Sequence, residues 1–124
     1  MTDKRPVNLD IGTIKLPITA YVSILHRVSG VALIGAVAIL LGLLGYSLKS
    51  ADDFASVQAC LASLPMKLLM WAVLAAFIYH LFAGIKHLIM DMGIGETLEG
   101  GKRGAVLVLV FTVIGVVLAG VWIW

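Results

Sequence analysis

Three histidines stand at positions 26, 80 and 87, and their surroundings decide what each can do. His80 sits within Leu68–Ile85, a run without a formal charge, six residues before Lys86. On a helix that is about 9 Å of axial depth. An ionisable group so deep in an apolar run is costly, and its default reading is functional. His87 follows at i+7, two turns along nearly the same face, and Gly84 at i+4 leaves a notch between the two imidazoles. A flat ligand can lie against such a notch. Spacing alone leaves three readings open: ligation of a metal or haem iron, a packing histidine hydrogen-bonded to a neighbouring helix, and proton transfer.

A second group precedes it in the chain. Ser23, Arg27 and Gly30 fall at i, i+4 and i+7, one stripe of a helix, with His26 bordering it. Arg27 stays charged at any working pH and offers five donors in a rigid fork. It can snorkel to lipid head groups. It can equally face inward, toward a carboxylate such as a haem propionate or toward a quinone carbonyl, with Ser23 adding a neutral hydroxyl donor.

The elements that must position these groups follow from composition. Of 124 residues, 61% are hydrophobic and only 13% charged, with a mean hydropathy of +1.08. Soluble domains run at about 45–50% apolar and ~25% charged, so the chain reads as a single membrane domain. That excludes a disulfide scaffold and a soluble enzyme with its own large core. A net charge of +2 gives no reason to expect nucleic acid. Val28–Leu48, Leu68–Ile85 and Gly104–Trp124 carry no formal charge, and as helices each reaches about 27–31 Å, enough to cross the hydrocarbon layer. Lipid leaves no water for unpaired backbone groups, which makes the spans helical. The expected architecture is all-α, with transmembrane helices over 23–48, 66–90 and 104–124 after an N-terminal segment over 1–22.

Lys4, Arg5, Lys15 and Arg27 lie before the first span and Lys86, Lys102 and Arg103 in or beside the last connection, against Lys49 and Lys67 in the first connection. The positive-inside rule then predicts a cytoplasmic N-terminus and an external C-terminus. Span one runs outward and span two returns, so Arg27 and His80 share the cytoplasmic half and can form one site. Pro17 can start the first helix and Pro65 fits a first helical turn. Ser50-Ala-Asp-Asp53 resembles a capping box opening a short external helix. Gly93, Gly95, Gly100 and Gly101 are read as breaking up the last connection. Gly104, Gly115 and Gly120 suit close helix packing, and Trp71, Trp122 and Trp124 suit structural positions near the external interface.

Arg5-Pro6-Val7-Asn8-Leu9-Asp10, Ser23-Ile-Leu-His26-Arg27-Val-Ser29-Gly30 and His80-Leu-Phe-Ala-Gly84-Ile-Lys86-His87-Leu-Ile-Met-Asp91, in this order, resemble the cytochrome b556 large anchor subunits of succinate dehydrogenase. The resemblance covers essentially the whole chain, with Lys86 standing where that family usually has arginine. It implies that His80 is one axial ligand of haem b. The second ligand would come from a smaller membrane anchor subunit, the two chains packing as halves of a heterodimeric bundle. It further implies that Ser23 and Arg27 line a ubiquinone site, that Arg27 also nears a haem propionate, and that His26 and His87 border the haem.

The activity implied is that of a haem-binding anchor in a bacterial cytoplasmic membrane. An iron–sulfur subunit and a flavoprotein subunit would be its soluble partners, delivering electrons from succinate to ubiquinone. The chain holds one cysteine and no flavin motif, so it does not oxidise succinate alone. A haem-free structural anchor and the anchor of a fumarate reductase are the alternatives, distinguished by the optical spectrum and by haem and quinone potentials. A small transporter is disfavoured, because no continuous polar path runs through the spans.

Overall fold

The computed structural model describes residues 6–124. Four helices follow one another: α1 (Ile18–Ser47), α2 (Ala51–Ala62), α3 (Leu64–Asp91) and α4 (Leu98–Ile123). All secondary structure among the described residues is helical. α1, α3 and α4 are long and apolar enough to cross a membrane. At 1.5 Å per residue they run about 39–45 Å, longer than the roughly 30 Å hydrocarbon layer, so their ends emerge or the helices tilt.

Local sequence explains where each helix begins. Pro17, extended at ψ 158, caps α1. The Ser50 hydroxyl accepts from the Asp53 N–H at 3.0 Å and opens α2, with Asp52 and Asp53 in the first turn, where the helix dipole favours negative charge. Pro65 lies in the first turn of α3. Pro17, Ser50 and Pro65 start helices as the sequence indicates, and α1 thereby takes in residues 18–22, which the expected architecture assigns to the N-terminal segment. Residues 6–16 form no helix; Asp10 turns the chain by accepting the Gly12 N–H at 2.9 Å. Of the Arg5–Asp10 motif and the N-terminal cations, Lys4 and Arg5 lie outside the described residues.

The start of α4 corrects one expectation. Gly93 and Gly95 do form the turn after α3, with φ of 81° and 72°, a region that favours glycine. Gly100 and Gly101 do not break the chain, because they sit inside the first turn of α4. Thr97 caps that helix through the Gly100 N–H at 3.0 Å, and the Glu99–Arg103 ion pair follows one turn on. The glycines serve proximity: a Cβ on Gly100 would stand 2.8 Å from the Gly95 carbonyl oxygen. The charge-free window therefore began six residues after the helix does. It tracks what lipid tolerates, whereas the helix extends as far as its backbone is capped.

α3 is the centre of the bundle and packs on both α4 and α1. The buried core, Val22, Tyr79, Ala83, Ala105 and Val108, lies toward the end that carries the start of α1, the end of α3 and the start of α4. Most other large apolar side chains face outward, such as Ile34 at 74% and Val113 at 63% exposure. In water that surface would drive aggregation; facing lipid tails it is at home. At the opposite end, Trp71 donates its indole N–H to the Val116 carbonyl at 2.8 Å and meets Trp124 edge-on.

Candidate functional site

The three histidines come together. α1 and α3 run antiparallel, and the His26 and His80 rings stack with centroids 4.2 Å apart and planes 16° from parallel. His26 also meets His87 at 5.2 Å, tilted by 48°. The two polar groups read from the sequence are thus at one level of the bundle. Gly84 leaves the notch, but the His26 ring and not open space for a flat ligand lies against it: a Cβ on Gly84 would lie 3.5 Å from His26 Nε2. That Nε2 is buried and has no hydrogen-bond partner among the described residues.

His80 is held from α1 at three points. Its Nδ1 lies 3.1 Å from the His26 carbonyl oxygen and 3.0 Å from Ser29 Oγ. Its Cε1 lies against Gly30, where a Cβ would stand only 3.1 Å away. One residue earlier on α3, the Tyr79 hydroxyl donates to the Val22 carbonyl, tying this turn of α3 to α1.

These partners assign the tautomer. A carbonyl oxygen only accepts, so Nδ1 next to the His26 oxygen carries the hydrogen. The Ser29 hydroxyl gives its own hydrogen to that same carbonyl at 2.7 Å, which leaves Oγ as an acceptor for Nδ1–H. With Nδ1 protonated, the neutral ring bears its lone pair on Nε2, for which no hydrogen bond forms among the described residues.

Ser23 and Arg27 are placed differently. The face of α1 turned to α3 is Val22, His26 and Ser29; Ser23 is half-buried beside it, and Arg27 is exposed. Neither forms a hydrogen bond or ion pair with the imidazoles among the described residues. Arg27 borders a shallow apolar hollow of about 440 Å³ with Val28, Val31 and Ala32 on the outer side of α1. Lys86 is half-buried, its stem lying over Gly104 and its Nζ 3.3 Å from Met90 Sδ.

Two contributors were not given roles from sequence, Ser29 and Tyr79. Ser29 is the buried polar side chain of the described residues, 8% exposed. A serine one turn from a histidine inside a span is the signal by which it could have been found. Tyr79 carried a similar signal, since a hydroxyl placed in lipid needs an acceptor.

A family profile of succinate dehydrogenase/fumarate reductase transmembrane subunits matches residues 1–119. The chain belongs to that family. It is similar to the succinate dehydrogenase cytochrome b556 subunit of Coxiella burnetii, 43% identical over 125 residues and the full length of both chains. The subunit of the same name from Paracoccus denitrificans is 28% identical over 89% of this chain and 90% of its own. The mitochondrial cytochrome b560 subunit of Bos taurus is 32% identical over 91% of this chain and 68% of its own. Three apolar helices and a family of transmembrane subunits make this a multi-pass membrane protein.

Proposed function

We propose that the chain is the haem b-binding membrane anchor of a succinate dehydrogenase, and that it forms part of the site where ubiquinone is reduced. The observation that carries this reading is the free Nε2 of His80, aimed by the partners of Nδ1. A metal-ligating histidine usually donates its other ring nitrogen to a fixed oxygen in this way.

The donor set suits haem rather than a bare ion. Among the described residues, no three histidine, cysteine or acidic side chains converge as an ion cage would need. Haem iron takes four ligands from its own macrocycle and asks the protein only for axial ones. His26 would not hold the iron together with His80, because its ring lies stacked alongside that of His80. A second ligand would then come from another chain, as the resemblance to anchors that share haem with a smaller membrane subunit implies. His26 and His87 border the ligand, and the buried Nε2 of His26 is a polar atom still in want of a partner.

When bound, haem b would supply a one-electron reservoir. Succinate is oxidised at the flavin of a soluble subunit and electrons arrive through an iron–sulfur subunit. Arg27 and Ser23 do the work of this chain at the quinone. The guanidinium beside the lipid-facing hollow and the half-buried hydroxyl donate to the quinone oxygens as negative charge develops on them, which lowers the barrier to reduction. The quinone tail remains in lipid. The basic N-terminal segment and the α3–α4 connection face the cytoplasm of a bacterial cell, where the soluble subunits dock, and the C-terminus is external.

The test compares two assays on the purified complex. Arg27→Leu and Ser23→Ala are expected to slow succinate-to-ubiquinone turnover by about tenfold or more, while succinate oxidation with a soluble artificial acceptor stays at the wild-type rate. Equal loss in both assays would overturn the quinone assignment. His80→Ala is expected to remove the b-type difference spectrum from an assembled complex, and an unchanged spectrum would overturn the haem assignment.

A further inference from the structure

The hydrogen bonds around His80 give one buried residue a defined task. We infer that Ser29 is a positioning residue for haem ligation: its Oγ accepts from Nδ1–H of His80, fixes the ring and its tautomer, and so tunes the potential of the iron that Nε2 holds. The inference rests on the ligation of haem by His80 proposed above.

Three observations carry it. Ser29 is buried, at 8% exposure, so its hydroxyl does not trade partners with water. Its hydrogen is committed to the His26 carbonyl at 2.7 Å. Its lone pairs are thereby turned to Nδ1 at 3.0 Å. The carbonyl of His26 accepts from the same Nδ1 at 3.1 Å, and this second acceptor alone leaves the ring free to pivot about one contact. With Ser29 present, the ring is fixed by two acceptors on one edge and by Gly30 against Cε1.

The electronic consequence has a sign. An acceptor on Nδ1–H draws that proton outward and makes Nε2 a stronger electron donor. A stronger donor favours the more positive, ferric iron. Removing Oγ therefore favours the ferrous state and raises the midpoint potential.

The experiment is a redox titration of the haem in the purified complex, with low-temperature electron paramagnetic resonance of the oxidised form. Ser29→Ala is expected to retain haem and to raise the ferrous-to-ferric ratio at a fixed ambient potential by up to about tenfold, equivalent to 59 mV for one electron. Its low-spin signal is expected to shift as the ring loses its orientation. Ser29→Thr, which keeps the hydroxyl, is expected to restore the wild-type potential.

An unchanged potential and signal in Ser29→Ala would overturn the inference, leaving Ser29 as a residue that only bonds back along its own helix. Lower haem content with an unchanged potential in the remainder would also overturn it, since that marks packing rather than tuning. Should Ser29→Ala fail to assemble, Ser29→Cys decides: a weaker acceptor of similar size should raise the potential, and an unchanged value would refute the role. His80→Ala, titrated beside them, separates this inference from the ligation it rests on. If that variant keeps the wild-type haem signal, ligation by His80 itself is wrong.

Discussion

At one end of the bundle the His80 ring lies against Gly30, and at the other the Trp71 ring lies against Gly120, where a Cβ would stand 3.3 Å from the indole. Both are flat rings on α3 set against a glycine of a neighbouring helix. Both place a ring nitrogen beside a backbone carbonyl of that helix, at 3.1 Å for His80 and 2.8 Å for Trp71. The chemistry differs by one atom. Indole has a single nitrogen, and its N–H is spent on Val116. Imidazole has two, and holding the first leaves the lone pair of the second available. The same packing device therefore makes a closed structural contact at one end and leaves a ring nitrogen without a hydrogen bond among the described residues at the other.

Substitutions at matched positions should separate the two ends. The largest effect is expected from Gly30→Leu. Its side chain would occupy the space of His80 Cε1, so the ring must leave, and the low-spin haem signal of the purified complex should be lost. A retained signal would break the comparison at its functional end. Gly115→Val comes next. A Cβ there would stand 2.8 Å from Ile78 Cγ2, and overpacking of this kind costs about 1–3 kcal/mol. The complex should inactivate at a lower temperature while its haem spectrum stays as in wild type.

Trp71→Phe keeps a ring against Gly120 and removes only the N–H donor. Hydrogen bonds between helices in membranes are worth roughly 0.6 kcal/mol, so a small drop in thermal stability is expected, with no spectral change. A spectral change would mean that the two ends are coupled through α3. Tyr79→Phe is expected to cost a similar small amount, because it removes the donor to the Val22 carbonyl and leaves the ring. Because Tyr79 adjoins His80, this variant also shows whether that turn of α3 needs the tie to α1. A shift of the haem band beyond that of Trp71→Phe is the expected sign that it does.

Much of the fold was legible because lipid constrains it strongly. Charge-free runs mark spans, and Pro17, Ser50 and Pro65 mark helix starts through backbone chemistry that needs no tertiary context. The shared depth of the two polar groups was also readable, but as Arg27 with His80; that His26 is the residue of α1 stacked on His80 was not. What sequence left open was the rotation of α1. The stripe Ser23, Arg27, Gly30 and the stripe Val22, His26, Ser29 are neighbours on the helix surface, offset by about 100° at 3.6 residues per turn. In a soluble helix, apolar residues would choose between them. In lipid the outward face is as apolar as the inward one, and the choice falls to contacts such as Ser29 with His80. Those depend on α3, so Arg27 emerged exposed while Ser29 emerged buried. The early start of α4 was hidden for a related reason, since Thr97 and Glu99 stabilise a helical turn in a stretch too polar to register as a span.

In the proposed function, His80 offers Nε2 to a haem iron held jointly with a second chain. Electron paramagnetic resonance of the oxidised complex addresses it most directly. The wild-type complex should give the low-spin signal of iron between two imidazoles. His80→Ala should abolish that signal or convert it to the high-spin form of iron with one axial ligand. A low-spin signal identical to wild type in that variant would contradict the account.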